Sequence, residues 1–461
     1  METLEAFSTE FANIMWGMPL VVLLVGGGLF LVIYSRLLPY RHFRHSIDIL
    51  KGKYDNPDDD GLITHFQALS TALSGTLGMG NIAGVAVALS MGGPGAIFWM
   101  WVTAVVGVGT KFYTCTLSIM YRGHDSLGVL QGGPMYVIRE GLGKKWQPLA
   151  VLFAVSGLIG SLPMFQVNQL VQILRDVIAI PAGLATNEQH FGFDIATGIL
   201  VSLTVLVVII GRIERIGKVT SRVVPTMVIG YFIVTIILLI LHIEDVPSAF
   251  ALIFTDAFSG DSIAGGAIGA VIVIGVRRGA FSNEAGIGSE VLAHGAAKTN
   301  EPVREGMVAM LGPVIDTLIV CTCTALAILV TGAWQGDADG VSMTAQAFES
   351  VFPGAGIYFI TVVVFFFSVT TIITLWYYGA KCLGYLIGAK YQYHYIWFYV
   401  ILIIVAAVVS LEVVIGIVDG AFAMMAIPTM TATLMLAKKV NAETRRYFHT
   451  HLNEPQKGWE G

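Results

Sequence analysis

Residues 75–84 read GTLGMGNIAG, four glycines and an asparagine inside an apolar run long enough to cross a bilayer. Glycine weakens a helix interior by about 1 kcal/mol per residue, and in lipid every backbone group freed from a helix needs another partner. A break here would expose amides at the start of one half-helix, which suit a carboxylate, and carbonyls at the end of the other, which suit a cation. A second run, RRGAFSNEAGIGS (277–289), mixes glycines with Arg277, Arg278 and Glu284 and repeats a short pattern, Asn81-Ile-Ala-Gly84 against Asn283-Glu-Ala-Gly286. A charge at the bilayer centre costs about 2.5–3.5 kcal/mol even on lenient scales. An Arg–Glu284 pair that holds the second break in shape is therefore expected ahead of direct substrate contact. Asp316 and Asp419 are further carboxylates within apolar blocks.

The elements that carry these runs are membrane helices. Of 461 residues, 55% are hydrophobic and only 12% charged, with a mean hydropathy of +0.75, against about 25% charge in soluble domains. The apolar blocks lie near 15–37, 67–91, 94–121, 148–174, 193–211, 221–242, 262–294, 306–332, 355–385, 394–410 and 412–437. Each approaches the roughly 20 residues that span hydrocarbon. The first block is too long for a signal-peptide core and is expected to be a true span. Lys and Arg fall in alternate loops, after the first, third, fifth, seventh, ninth and eleventh blocks, whereas 177–192, 243–261 and 333–354 contain neither. Positive loops stay in the cytoplasm, so the N-terminus is expected outside and the C-terminus inside, the acidic run at 56–61 in a solvated loop and residues 438–461 in a cytoplasmic tail.

Setting the first span and its linker (1–66) aside leaves two sets of five, 67–242 and 262–437. Five is odd, so the sets run in opposite orientation. Each opens with an interrupted segment, the pattern that marks a transporter's midplane binding site. Close packing of small residues is the competing explanation, but polar and charged residues accompany these glycines. Other chemistries find little support. The four cysteines lack metal or redox spacing, no nucleophile with a base appears within the spans, and no basic patch suits nucleic acid. A transporter rather than an enzyme is expected.

GGPGAIFWMWVTAVVG (92–107) and FSNEAGIGSEVLAHGAAKTNEPVREG (281–306) resemble the two characteristic blocks of the alanine or glycine:cation symporters. GGPMY (132–136), RIGKVT (215–220) and LGPVIDTLIVCTCTAL (311–326) look like further segments of that family. The resemblance implies an all-α LeuT-type five-plus-five inverted repeat with one additional N-terminal helix, eleven spans in all. It implies sodium-coupled symport of a small neutral amino acid by alternating access, with Na+ as the transported ion and no organic cofactor. Proton coupling is the alternative, and a channel a more distant one. A monomer in a prokaryotic inner membrane is expected.

The same resemblance places the substrate against Thr76, Gly78, Met79, Gly80 and Asn81 of the first break and Gly279, Phe281, Ser282 and Asn283 of the second, with Gln166, Thr374 and Leu375 completing the pocket. The amides of Met79 and Gly80 would receive its carboxylate. Thr76 and Asn81 would flank one cation, and the carbonyls of Ser74 and Leu77 with the hydroxyls of Thr370 and Thr371 would hold a second. Three positions depart from the family pattern. Met79 replaces a usual Thr, Thr374 a Gly and Leu375 a Trp, and the loss of an indole at Leu375 implies room for side chains larger than methyl.

Overall fold

The computed structural model describes residues 2–258, 267–409 and 411–452. The start of the expected seventh span (262–266), the end of the tenth (410) and the last residues of the tail (453–461) lie outside them. Helix occupies part of every expected span. Among the described residues eight helices are long and apolar enough to cross a membrane, or nine if the bent pair Ala6–Met15 and Met18–Tyr34 counts as one. The helices Ala267–Asn283 and Gln392–Ala406 are shorter, at 17 and 15 residues.

The first expected span differs from a simple rod. Its helix bends by 45° at Trp16–Gly17, ahead of Pro19, and the N-terminal part, Glu2–Met15, packs along the last helix. The last helix is longer than the apolar block, running from Leu411 to Leu452. The expected tail continues it because Tyr447 and Phe448 are buried. His45 Nε2 meets the Tyr447 hydroxyl at 2.9 Å, and Phe448 packs on the His42 ring.

Two interrupted helices form the centre. The first starts at Thr64, whose hydroxyl accepts from the Gln67 amide while the Gln67 side chain accepts from the Thr64 amide, a reciprocal cap. It runs His65–Thr76, breaks, and resumes at Met79–Gly92. Its apolar window is 94% buried, against 33% for Arg212–Leu241 at the periphery. This burial makes the break affordable, since freed backbone groups meet protein rather than lipid. The second interrupted helix runs Ala267–Asn283 and resumes as a single turn at Val291–His294. Both broken helices rest on the long helix Gly95–Met120.

Candidate functional site

At the first break Leu77 and Gly78 leave helical geometry. The Asn81 side chain accepts from the Gly78 amide at 3.0 Å, which fixes the start of the new half-helix. The Met79 and Gly80 amides are the first of that half-helix and have no carbonyl one turn behind them. On the other side of the break, the Thr371 hydroxyl lies 2.8 Å from the carbonyls of both Ser74 and Phe367. The Phe367 carbonyl also accepts the Thr371 amide within the continuous helix Gly356–Ile387, whereas the Ser74 carbonyl, at the end of its half-helix, depends on the hydroxyl's one proton. Ser74 Oγ donates to the Thr370 carbonyl at 2.7 Å and lies 2.9 Å from Thr374 Oγ1.

The threonine pair expected at the second cation position therefore divides. Thr370 directs its hydroxyl to the Phe366 carbonyl of its own helix and toward Met227 sulfur. Adjacent helical residues project about 100° apart, so one backbone orientation cannot aim both hydroxyls at the break. Thr374, one turn after Thr370, reaches Ser74 instead of the cavity.

The expected pairing of Arg277 and Arg278 with Glu284 is replaced by another. Arg277 Nε binds Asp419 Oδ2 at 2.8 Å, and Arg278 binds the same carboxylate oxygen. Glu284 adopts a left-handed backbone, φ 54°, and its carboxylate accepts from Ser289 Oγ at 2.5 Å. Gly286 and Gly288 continue the turn at φ 86° and 94°; a Cβ on Gly288 would lie 2.5 Å from Thr429 Oγ1. The Arg–Asp419 cluster ties the second broken helix to the last helix. Breaking a buried ion pair from one side costs about 3–5 kcal/mol, so Asp419→Ala should markedly lower the melting temperature of detergent-solubilised protein, whereas Glu284→Gln should shift it far less. Equal melting of the two variants would mean that the arginines do not depend on Asp419.

Thr76, Gly78, Met79, Gly80, Gln166, Phe281, Thr371 and Leu375 of the expected set surround one small cavity together with Gly75, Glu284 and Phe422. Its free volume is only about 10 Å³, room for about one water. Phe281 is held edge-on between Phe165 and Phe422, with ring centroids 5.6 and 5.2 Å apart. Phe281 and Phe422 line the same cavity as Leu375. Gly279 instead faces the helix behind it, where a Cβ would come within 2.1 Å of Thr103 Oγ1. Asn283 caps the Ala285 amide at 2.9 Å and reaches Thr317.

Asn81 and Ser282 meet behind the cavity on Asp316. Asn81 Nδ2 donates to Asp316 Oδ1, and Ser282 Oγ and Thr317 Oγ1 donate to Oδ2, each at 2.7 Å. Asp316 is fully buried and lies on a π-helical stretch, Val314–Cys321. Its donors are all uncharged, and among the described residues no Lys, Arg or His pairs with it. One carboxylate thus joins both broken helices. The sequence showed it as an acid in an apolar block, but its partners are more than 200 and 30 residues away.

Apolar helices packed around two broken ones, with a polar cavity at the breaks, define a membrane transporter. The crystal structure of MhsT in complex with L-phenylalanine superposes with a TM-score of 0.53 over 83% of this chain and 88% of that one, at 14% identity, so the fold is LeuT-like. The chain belongs to the sodium:alanine symporter family, whose family model matches residues 1–459. The sodium/alanine symporter AgcS of Methanococcus maripaludis is 38% identical, covering 96% of this chain and 97% of its own. The probable sodium/glutamine symporter GlnT of Bacillus subtilis is 31% identical, covering 94% and 89%. The protein is a multi-pass membrane transporter and not an enzyme, and its family and relatives point to sodium-coupled amino acid symport.

Proposed function

We propose that this protein takes up a small neutral amino acid together with Na+ by alternating access. The observation that carries the reading is the first break, where Met79 and Gly80, whose amides open the new half-helix, and Thr371, whose hydroxyl meets the carbonyls of Ser74 and Phe367 behind it, line one cavity. The amides receive the substrate carboxylate. Gln166, with no hydrogen-bond partner among the described residues, is free to turn to the substrate. The Ser74 carbonyl with the Thr371 hydroxyl, and the carboxylate of Asp316 beside Asn81, supply hard oxygen for an alkali cation. Leu77 and Thr76 add backbone oxygens at the same break.

In this reading the chain crosses the inner membrane eleven times, N-terminus outside and C-terminus inside. Residues 67–242 and 262–437 form opposed repeats that rock about the fixed site, and the monomer is the working unit. The test is exchange of labelled for unlabelled amino acid by proteoliposomes in sodium and in choline. Exchange equal in both would remove sodium from the mechanism, and conduction without exchange would make the protein a channel.

Substrate size is set by Leu375, Met79, Phe281 and Phe422. Methionine is flexible and moves aside for a larger ligand, so neutral side chains beyond methyl are accepted and glycine binds weakly. A missing methylene in an apolar pocket is worth about 1–3 kcal/mol. Leu375→Trp should therefore shift preference toward glycine and alanine by about 10-fold or more, read by competition from glycine to glutamine and leucine. An unchanged ranking would take Leu375 off the wall that sets size.

A further inference from the structure

The second break holds a carboxyl group that neither the cavity nor the Asp316 cluster uses. Glu290 is fully buried; neither of its oxygens has a side-chain hydrogen-bond partner, and only the backbone amides of Gly288 and of Glu290 itself face the carboxylate. No Lys, Arg or His forms an ion pair with it among the described residues. Lys111, from the helix Gly95–Met120, is the basic group whose charge reaches it, and the same ammonium also serves Glu284. Lys111 Nζ stands beside Gly312, 3.0 Å from where a Cβ there would be. Lys381 is spent on the carbonyls of Gly132 and Leu292, at 3.1 and 3.2 Å. The other groups facing this region are the Cys115 thiol, the unpartnered Tyr378 hydroxyl and, across the break, Asp316. Glu290, Glu284 and Asp316 thus share one lysine, which forms an ion pair with none of them among the described residues.

A carboxylate stripped of water and left unpaired carries a penalty of several kcal/mol. Binding a proton removes it. A line of titratable groups leads away from Glu290. His294 stands one helical turn on, joined to Glu290 through the backbone alone, its amide donating to the Glu290 carbonyl at 3.1 Å with no side-chain hydrogen bond between the two, so proton transfer between them needs the break to move or a water to enter. His294 Nδ1 meets Glu305 Oε1 at 2.5 Å, its Nε2 is buried without a partner, and the second Glu305 oxygen meets His65 Nδ1. His65 opens the first broken helix, next to the exposed Thr64. Chains of Asp, Glu and His inside membrane proteins are the usual carriers of protons.

We propose that Glu290 is a proton-binding site of this transporter, separate from the substrate and sodium positions, which exchanges its proton through His294, Glu305 and His65 with solution at the His65 end of the bundle. The proton adds to one Glu290 oxygen to give the neutral acid in the closed state and leaves to give the carboxylate when that end opens to water. This rests on the transport reading only for its coupling to substrate movement. The sign follows: raising the pH removes the proton, penalises the closed state and slows uptake, approaching about tenfold per pH unit for a single proton.

Infrared difference spectra of the purified wild-type protein, taken between mildly acidic and alkaline buffer, test the site without any transport. A protonated-carboxyl band is expected in the wild type and in Glu284→Gln, and its loss in Glu290→Gln. In proteoliposomes, wild-type uptake should fall several-fold across the same pH range, and Glu290→Gln, which is permanently neutral, should hold a ratio near one. Absence of the band from the wild type overturns the proposal even if Glu290→Gln fails to fold. A band that survives in Glu290→Gln, or that disappears in Glu284→Gln instead, overturns the assignment. A band present with no sodium-dependent amino acid exchange at all would leave the proton site standing and the transport reading failed.

Discussion

Asp316→Asn is expected to lower sodium-driven uptake by about 100-fold in protein that still folds, and to remove the larger part of the melting-temperature rise that sodium gives the wild type. The carboxylate is fully buried and accepts three side-chain hydrogen bonds at 2.7 Å from Asn81, Ser282 and Thr317. Asparagine keeps the shape but replaces one acceptor oxygen by an amino group, so either the Ser282 and Thr317 hydroxyls must turn round to accept or Asn81 Nδ2 faces another donor, and the charged acceptor is lost in both cases. Hydrogen bonds to a charged group are worth about 1.5–3 kcal/mol, which alone approaches the expected loss. The charge matters as well. Among the described residues no basic group forms an ion pair with Asp316, only the charge of Lys111 reaching it; in the proposed reading a cation at Asn81 stabilises it, and ligand that binds only the native state raises stability. The melting experiment in sodium and in choline separates the two effects. Should the sodium-dependent shift be the same in wild type and Asp316→Asn, the carboxylate is only a brace between the two broken helices.

How much of this site could be read from the chain depends on the range of each interaction. The breaks were legible because glycine, asparagine and charge within an apolar run violate the rule for a smooth helix locally. Gly78, Met79, Gly80 and Phe281, placed there by the family resemblance, lie on these stretches and line one cavity. The partner of Arg277 and Arg278 did not, because Asp419 lies more than 140 residues away and Glu284, nearby in sequence, is turned aside by a left-handed backbone. The split between Thr370 and Thr371 depends on the rotation of one helix about its axis. No hydropathy pattern fixes that rotation where the helix is apolar on every face. Glu290 passed unnoticed within a family-like block, since a buried carboxyl differs from an exposed one only through neighbours the sequence does not show.

Gly78→Ala is expected to abolish transport, at least about 100-fold, through Thr371 rather than through the cavity. A Cβ on Gly78 would lie 2.5 Å from Thr371 Oγ1, the hydroxyl held 2.8 Å from the Ser74 and Phe367 carbonyls. Either Thr371 rotates away and the oxygen cluster loses its hydroxyl, or the half-helices separate and the Met79 and Gly80 amides shift. Overpacking of this kind costs about 1–3 kcal/mol in an ordinary core, and here it falls on the groups that bind. The second threonine provides the control. Thr371→Ala removes the clashing oxygen and leaves Thr371 Cβ at 3.4 Å from the new methyl, an ordinary contact. Thr371→Ala alone should raise the sodium needed for half-maximal uptake by about 10-fold, as loss of one hydroxyl in a polar site does, while Thr370→Ala, whose hydroxyl bonds its own helix, should change it less than about twofold. The double variant Gly78→Ala/Thr371→Ala should then transport no worse than Thr371→Ala, the non-additivity expected of two side chains in contact. If the double variant is as inactive as Gly78→Ala, the methyl acts on the substrate amides directly, and the cation cluster at Thr371 is not what the first break was built to hold.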